Sequence, residues 1–111
     1  MRNVSIGVIQ MHCSFSAEAN LDKAELLVRK AAASGANVIL LPELFQFPYF
    51  CQERQYSFYS YATPAANNPA VLRFSAVAKE LGVVLPISFF EKDGNCLFNS
   101  LAMLDADGSL L

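Results

Sequence analysis

Glu43 is the residue of this sequence best placed to do chemistry. It follows the apolar residues 38–41, which predict a short buried strand, and Pro42, which lacks a backbone donor and ends that strand. Ligands of open α/β sheets bind beyond the carboxyl ends of the strands. Because Leu44 and Phe45 are apolar neighbours, we expect a raised pKa for the Glu43 carboxyl, which would suit a general base. A half-exposed loop residue or a helix-capping carboxylate is the alternative.

A dense group of aromatic residues follows Glu43. Eight aromatic side chains lie between residues 45 and 61. Pro48 interrupts regular structure, so residues 45–51 are expected to form a loop, whereas residues 52–61 could form a helix. An aromatic loop beside a carboxylate can wall a pocket and exclude water. A buried subunit contact is the competing interpretation.

The cysteines and the single histidine do not form an evident catalytic or metal site. A nucleophilic cysteine needs a base or a positive neighbour. His12 adjoins Cys13, but adjacent strand residues point to opposite faces, so Cys13 is expected to pack as a small hydrophobic residue. Cys51 is the better-placed thiol but lacks a basic partner, and Cys96 is expected to pack within a strand. Zinc-ligand spacing and phosphate-binding loops do not occur, so we expect no metal and no cofactor.

The first half of the chain predicts a strand–helix–strand unit. Residues 4–11 carry small and apolar side chains on both faces, which predicts a central strand covered on both sides, with Gly7 allowing close approach. Ser16 is a suitable N-cap for a helix that ends near Ser34, and Gly35 suits the position after its last turn. The strand before Glu43 completes the unit.

The second half predicts a helix and an antiparallel hairpin. Asn68 can cap a helix that begins at Pro69 and ends at Gly82. Residues 83–90 predict a third strand, in which Pro86 implies a bulge or an edge position. A turn at residues 92–95 leads to a fourth strand over residues 96–104. Within it Asn99 and Ser100 either orient a loop by hydrogen bonds or face solvent.

Composition limits the possible partners and compartment. A chain of 111 residues supports one core, and its 54% apolar content indicates a well-buried sheet or a surface covered by further chain or a partner. The net charge of −2 without a basic stripe argues against nucleic acid, and no apolar run approaches a membrane span of about 20 residues. Three scattered cysteines fit a reducing cytoplasm. Because the last turn is followed by only three residues, we expect a fragment of a longer chain.

Several motifs of the sequence resemble the nitrilase superfamily of carbon–nitrogen hydrolases, in chain order. They are residues 4–10, 35–45 and 49–52, which include the Leu-Pro-Glu-Leu-Phe and Tyr-Phe-Cys-Gln stretches, residues 78–84 and 86–91, Asn99-Ser100, and the turn 105–108. The second stretch is most similar to hydrolases of carbamoyl amines. A related amidase of the superfamily, or a non-catalytic subunit-interaction module, is the alternative.

The resemblance implies a fold, a reaction and a set of site residues. The fold is α/β, the N-terminal part of an α-β-β-α sandwich with about four strands and two to three helices, all in one domain over residues 1–111. The family uses a Glu–Lys–Cys triad, in which Glu43 matches the general base. Tyr49 and Phe50 match pocket-wall positions. The lysine and the cysteine would follow Leu111, so residues 1–111 alone are expected to be inactive. The implied partners are a small carbamoyl-amine substrate and further copies of the chain in a homo-oligomer.

Overall fold

Two short parallel strands and one long antiparallel hairpin form the β structure. In the computed structural model, which describes residues 1–111, β1 (Ile6–Val8) pairs in parallel with β2 (Val38–Leu40). Strand β3 (Leu85–Asp93) pairs antiparallel with β4 (Cys96–Leu104) without interruption of the register. A parallel bridge from β2 to Val84 joins the two pairs, so the strands lie side by side in chain order.

Two helices cover one face of these strands, and their caps are those expected from the sequence. Helix α1 (Ala17–Ala33) begins at Ser16, whose side chain accepts a hydrogen bond from the backbone N–H of Ala19. Helix α2 (Pro69–Leu81) begins at Asn68 and ends at Gly82, which has a φ of 65°. Three single-turn or two-turn 3₁₀ helices connect β2 to α2, at Phe50–Gln52, Tyr56–Tyr61 and Ala65–Asn67. Neither α-helix is long and apolar enough to cross a bilayer.

The hydrophobic core lies between the helices and the strands. Side chains of alternate strand positions enter it, among them Ile39, Leu85 and Ile87, and they meet Val28 of α1 and Phe74 of α2. On the same side, Gly7 permits the close approach of α1. A Cβ at this position would lie 3.2 Å from the Cβ of Ala36 and 3.4 Å from that of Ala31. The expectation that Gly7 allows close packing is therefore confirmed.

The opposite face of the strands is open within residues 1–111. Ile6 and Val8 are 70% and 74% exposed, and Leu40 and Leu101 lie exposed on the same face. The prediction of a first strand covered on both sides is thus wrong for these residues, since only the helix side is covered. These exposed apolar side chains support the second interpretation of the 54% apolar content, which is a surface covered by further chain or by a partner.

The expected helix over residues 52–61 is also wrong. Glu53 and Gln55 have extended backbone conformations, which separate the first two 3₁₀ helices. Aromatic and serine residues are moderate helix formers. Their rings instead pack against one another, with Phe50 in contact with Phe58, Tyr61 and Phe90. Ring packing therefore determines this segment more than regular backbone hydrogen bonding does.

Pro86 marks the place where pairing between β2 and β3 stops. The register of β3 with β4 is continuous through Pro86, so the bulge expected there is absent. The backbone N–H of Val84 donates to the carbonyl of Asn37, and its carbonyl accepts from the N–H of Ile39. Backbone groups two residues apart face the same side of a strand, so the nitrogen of Pro86 faces β2 and has no proton to donate. The expected edge position is met only locally: β3 lies between β2 and β4, but at Pro86 its β2 side has no strand partner.

A buried polar network fixes the loop after β2 to both helices. Gln46, which is 8% exposed, accepts through its side-chain oxygen from Asn68 Nδ2 at 3.1 Å and through its backbone oxygen from Asn20 Nδ2 at 2.9 Å. Asn68 Nδ2 also donates to Thr63 at 2.8 Å. Asn68 Oδ1 accepts from the first turn of α2, and Asn20 bonds both backbone groups of Ser14. Every member of this buried network thus has a partner.

An ion-pair network joins the outer faces of the two helices. Glu25 of α1 accepts from Arg73 of α2 at 2.6 Å and from Arg29 at 2.9 Å. Arg73 also pairs with Asp22, and Arg29 with Glu80. Hydrogen bonds from Arg73, and then from Arg29, hold the pKa of Glu25 below its ordinary value.

Substituting Asn68 tests the buried network. Asn68→Ala leaves the Gln46 side-chain oxygen and two N–H groups of α2 without partners, so we expect a loss of about 2–4 kcal/mol in the free energy of unfolding. Urea denaturation followed by circular dichroism measures it. The neighbouring exposed Asn67→Ala is the control and should change stability by less than about 0.5 kcal/mol. Equal effects of the two substitutions would contradict the role assigned to Asn68.

Substituting Glu25 tests the ion-pair network through pH. The folded state lowers the pKa of Glu25, so its carboxylate stabilises the fold above the unfolded value of about 4.3, and this contribution is lost as pH falls through the folded pKa. We expect Glu25→Gln to lower the free energy of unfolding by about 1 kcal/mol at pH 7, with the difference shrinking progressively below about pH 4. Glu18→Gln, outside the network, serves as the control. If the loss in the free energy of unfolding caused by Glu25→Gln did not change with pH, the ion pairs would not be its cause.

Candidate active site

Glu43 lies in a tight turn immediately beyond the carboxyl end of β2. The next residue, Leu44, has a φ of 53°, the left-handed region that non-glycine residues rarely adopt. This backbone reversal directs Leu44 and Phe45 into the core, where they are 3% and 0% exposed, and leaves Glu43 exposed on the open face. The expected burial of Glu43 among apolar neighbours is therefore wrong for residues 1–111, because the neighbours point away from it.

Two polar side chains of the hairpin hold this turn. Asn99 of β4 donates through Nδ2 to Glu43 Oε1 at 2.5 Å, and Ser88 Oγ of β3 accepts from the backbone N–H of Leu44 at 3.0 Å. Ser88 and Asn99 stand on the open face because the alternate positions of both strands, such as Ile87 and Ala102, enter the core. The hairpin thus fixes both the backbone next to Glu43 and its carboxylate.

Glu43 borders an open groove of about 340 Å³. Its walls combine the end of β2 with the middle of the hairpin strands: Leu40, Leu41, Ser88, Asn99, Ser100 and Leu101. A carboxylate at the edge of a groove with apolar walls and a few polar groups is a common arrangement for a ligand site. The groove can therefore bring a small molecule within reach of Glu43.

The two predicted pocket-wall residues have different surroundings. Tyr49 is half exposed, and the nearby charges of Glu43 and then of Cys51 raise the pKa of its hydroxyl. Tyr49 is therefore close enough to Glu43 to feel its charge, but it is not among the residues that line the groove. Phe50 instead packs among the aromatic rings of Phe58, Tyr61 and Phe90, where it forms a wall of a second cavity.

The remaining candidate residues are dispersed. Cys13 packs against the core, and burial raises the pKa of its thiol, with Lys23 opposing the effect. This confirms a packing role for Cys13, while His12 beside it is exposed. Cys51 is exposed near Tyr49. Cys96 is exposed at the first position of β4, so the packing role expected for it is wrong.

Three residues of the site region were not identified as such from the sequence. Asn99 is a polar residue in an apolar strand, and the first of the two alternatives for it, orientation of a loop by hydrogen bonds, is the correct one. Its neighbour Ser100 donates to Glu91 on the other face. Ser88 and Gln46 carry no local pattern that points to their partners, which lie 44 and 22 or more residues away in sequence.

Comparison with known proteins assigns the chain to a family. The family model for carbon-nitrogen hydrolase matches residues 5–111. An N-carbamoylputrescine amidase of Oryza sativa subsp. japonica is 45% identical over 106 residues, which cover 96% of this chain and 35% of that protein. A citrullinase of Francisella tularensis is 39% identical over 111 residues, 100% of this chain and 39% of that protein.

Solved structures agree with the sequence comparison. The crystal structure of a carbon-nitrogen hydrolase from Helicobacter pylori G27 matches with a TM-score of 0.87 and 28% identity, over 96% of this chain and 37% of that chain. The chain thus spans little more than a third of the proteins it matches. The likeness confirms the expected α/β fold and shows that the chain belongs to the carbon-nitrogen hydrolase family, the nitrilase superfamily.

Proposed function

We propose that the protein containing these residues is an amidase of carbamoyl amines, with N-carbamoylputrescine as its substrate, and that Glu43 is its general base. The observation that carries this proposal is the Glu43 carboxylate beyond the end of β2, held by Asn99 at the edge of a groove. The identity of 45% to an N-carbamoylputrescine amidase supports the choice of substrate. The overall reaction consumes water and gives putrescine, ammonia and carbon dioxide, a step of polyamine biosynthesis.

In the proposed reaction, Glu43 acts together with a cysteine and a lysine. The family resemblance implies these two residues, and they lie outside residues 1–111. Glu43 accepts the proton of the thiol, and the thiolate forms a bond to the carbamoyl carbon. Glu43 then returns the proton to the departing nitrogen, and ammonia leaves. Water, deprotonated by Glu43, attacks the remaining thioester-type intermediate and releases the thiol and a carbamate, which loses carbon dioxide to give the free amine. The lysine stabilises the oxyanion that forms at each attack.

The groove fits the demands on such a base. Asn99 orients one oxygen of the Glu43 carboxylate, which leaves the other, Oε2, able to accept a proton. The charge of Glu43 raises the pKa of the Tyr49 hydroxyl, and the family resemblance assigns Tyr49 to the pocket wall. The proposal also includes a cytoplasmic location and assembly into a homo-oligomer. The exposure of Ile6 and Val8 fits an apolar face that the second sheet of the α-β-β-α sandwich, from outside residues 1–111, would cover.

A related amidase such as a β-ureidopropionase is the second candidate within the family, and a non-catalytic interaction module is the candidate from another class. The exposed apolar face is the observation that favours the module. Assays of the full-length protein with N-carbamoylputrescine and carbamoyl-β-alanine distinguish the three. Hydrolysis of carbamoyl-β-alanine alone would support the ureidopropionase, and activity on neither, in a folded protein that binds a partner subunit, would support the module.

Substituting Glu43 tests the proposed base. In the full-length protein, Glu43→Gln keeps the hydrogen-bonding shape but cannot accept a proton, so we expect ammonia release from N-carbamoylputrescine to fall by at least about 10²-fold. Stability should be unchanged, because Glu43 is exposed. Glu18→Gln on α1 is the matched control and should retain activity. The isolated residues 1–111 should release no ammonia, because the proposed cysteine and lysine lie outside them. Ammonia release by this fragment that Glu43→Gln abolishes would contradict the proposal that those two residues are required.

Substituting Asn99 tests how Glu43 is positioned. Asn99→Ala removes the donor to the carboxylate, and we expect kcat to fall roughly tenfold or more with little change in KM, since positioning affects the chemical step. Asn99→Gln, which retains an amide on a longer side chain, should recover part of the loss. Asn95→Ala in the hairpin turn controls for changes in β4. A fall in stability without a change in kcat would show a structural role alone.

A further inference from the structure

Ser88 of β3 binds the backbone next to Glu43. Its hydroxyl oxygen accepts a hydrogen bond of 3.0 Å from the backbone N–H of Leu44. This N–H belongs to the planar peptide unit that joins Glu43 to Leu44, so the bond fixes the peptide attached to the Cα of Glu43. Ser88 is also one of the residues that line the groove beside Glu43. Because the Glu43 side chain begins at that Cα, a shift of the peptide also shifts the carboxylate.

The turn depends on this bond because its backbone is strained. Leu44 has a φ of 53° and is the one residue other than glycine with a positive φ. This conformation is unfavourable for a residue with a side chain, and it persists only where the surroundings hold it. Core packing holds the Leu44 side chain, which is 3% exposed. The N–H of Leu44 has Ser88 as its hydrogen-bond partner and no other, so Ser88 holds the peptide itself.

Two residues on one face of the hairpin hold Glu43 at two points. Ser88 binds the peptide that follows Glu43, and Asn99 donates to Oε1 of the carboxylate. Phe90 is the register partner of Asn99 and lies two residues after Ser88, so Ser88 and Asn99 are diagonal neighbours on the same face. The continuous pairing of β3 with β4 keeps these neighbours at a constant separation. Glu43 is thus attached to the hairpin at its backbone end and at its carboxylate end.

We propose that Ser88 is a positioning residue for the general base Glu43, an inference that rests on the proposed hydrolysis of carbamoyl amines. Ser88 acts through the backbone of the turn and does not contact the reacting atoms. Proton transfer needs the carboxylate at a fixed distance from the thiol and from the departing nitrogen, and a displacement of about 1 Å can slow the chemical step about 10²-fold. Substrate binding uses the groove walls as a whole, so loss of the Ser88 hydroxyl affects the chemical step more than it affects binding.

Substituting Ser88 in the full-length protein separates positioning from a structural role. With N-carbamoylputrescine, Ser88→Ala should lower kcat roughly tenfold and change KM by less than about threefold, because the lost interaction acts on the transition state. Ser88→Thr retains the hydroxyl on a residue that suits a strand, and its kcat should lie within about threefold of that of the unsubstituted protein. Ser75→Ala is the matched control, since the Ser75 hydroxyl also bonds a distant backbone group, the carbonyl of Gly108, but from α2. Equal losses of kcat in Ser88→Ala and Ser75→Ala, or no recovery in Ser88→Thr, would overturn the proposal.

A double substitution tests whether Ser88 acts through Glu43. In a protein that already carries Glu43→Gln, adding Ser88→Ala should change the residual rate by less than about twofold, because the group that Ser88 positions no longer accepts a proton. An undiminished loss of rate in this background would show that Ser88 acts on the substrate directly, which would contradict a role through the turn.

Hydrogen exchange tests the attachment of the turn without any turnover. In the full-length protein, the Leu44 amide should exchange at least about tenfold faster in Ser88→Ala, since its hydrogen-bond partner is lost, and at the original rate in Ser75→Ala. Mass spectrometry of a peptide that contains Leu44 measures this rate. Unchanged exchange in Ser88→Ala would overturn the inference and leave the proposed hydrolysis intact. Faster exchange in a protein that releases no ammonia from N-carbamoylputrescine would support the attachment to Ser88 and overturn the proposed reaction.

Discussion

The position of the candidate site depends on the buried hydrogen bonds of Gln46. Its side chain and its backbone carbonyl bond Asn68 at the start of α2 and Asn20 in the first turns of α1. These groups are 1–8% exposed, so breaking one bond leaves a polar atom without water or partner. These bonds therefore tie the loop after β2 to the start of both helices. Glu43 lies only three residues before Gln46, so the hydrogen bonds that hold Gln46 also limit where Glu43 can lie.

The same loop divides its side chains between two environments. Phe45 packs edge-on against Phe74 in the core, at a centroid distance of 5.8 Å, whereas Glu43 faces the open side. Between them Leu44 adopts a left-handed conformation that costs roughly 1–2 kcal/mol for a residue with a branched side chain. Burial of Leu44 and its N–H bond to Ser88 offset this cost. Backbone strain next to the Glu43 carboxylate is thus sustained by core packing on one side and by the hairpin on the other.

Local patterns predict those parts of the fold that local physics determines. Ser16, Asn68 and Gly82 were identified as caps because their preferences act within one helical turn. The hairpin was predicted because its turn residues and strand lengths are local too. The path of residues 52–61 is not predicted, because the ring of Phe50 packs against Phe90, which is distant in sequence. For Glu43 the alternative of an exposed loop residue is the correct one, and the reversal at Leu44 that exposes it is held by Ser88, another distant partner. For Asn99, the sequence shows a polar residue in an apolar strand. It does not show the hydrogen-bond partner, which is 56 residues away.

Glu25 and Glu43 are held by different kinds of hydrogen-bond donor. Glu25 is held by two guanidinium groups, which favour its charged form and tie α1 to α2. Glu43 is held by the neutral amide of Asn99 and has no cation among the ion pairs of the structure. An arginine partner would add a positive charge beside a carboxylate, as Arg73 and Arg29 do at Glu25. The amide of Asn99 instead orients the Glu43 carboxylate without adding charge.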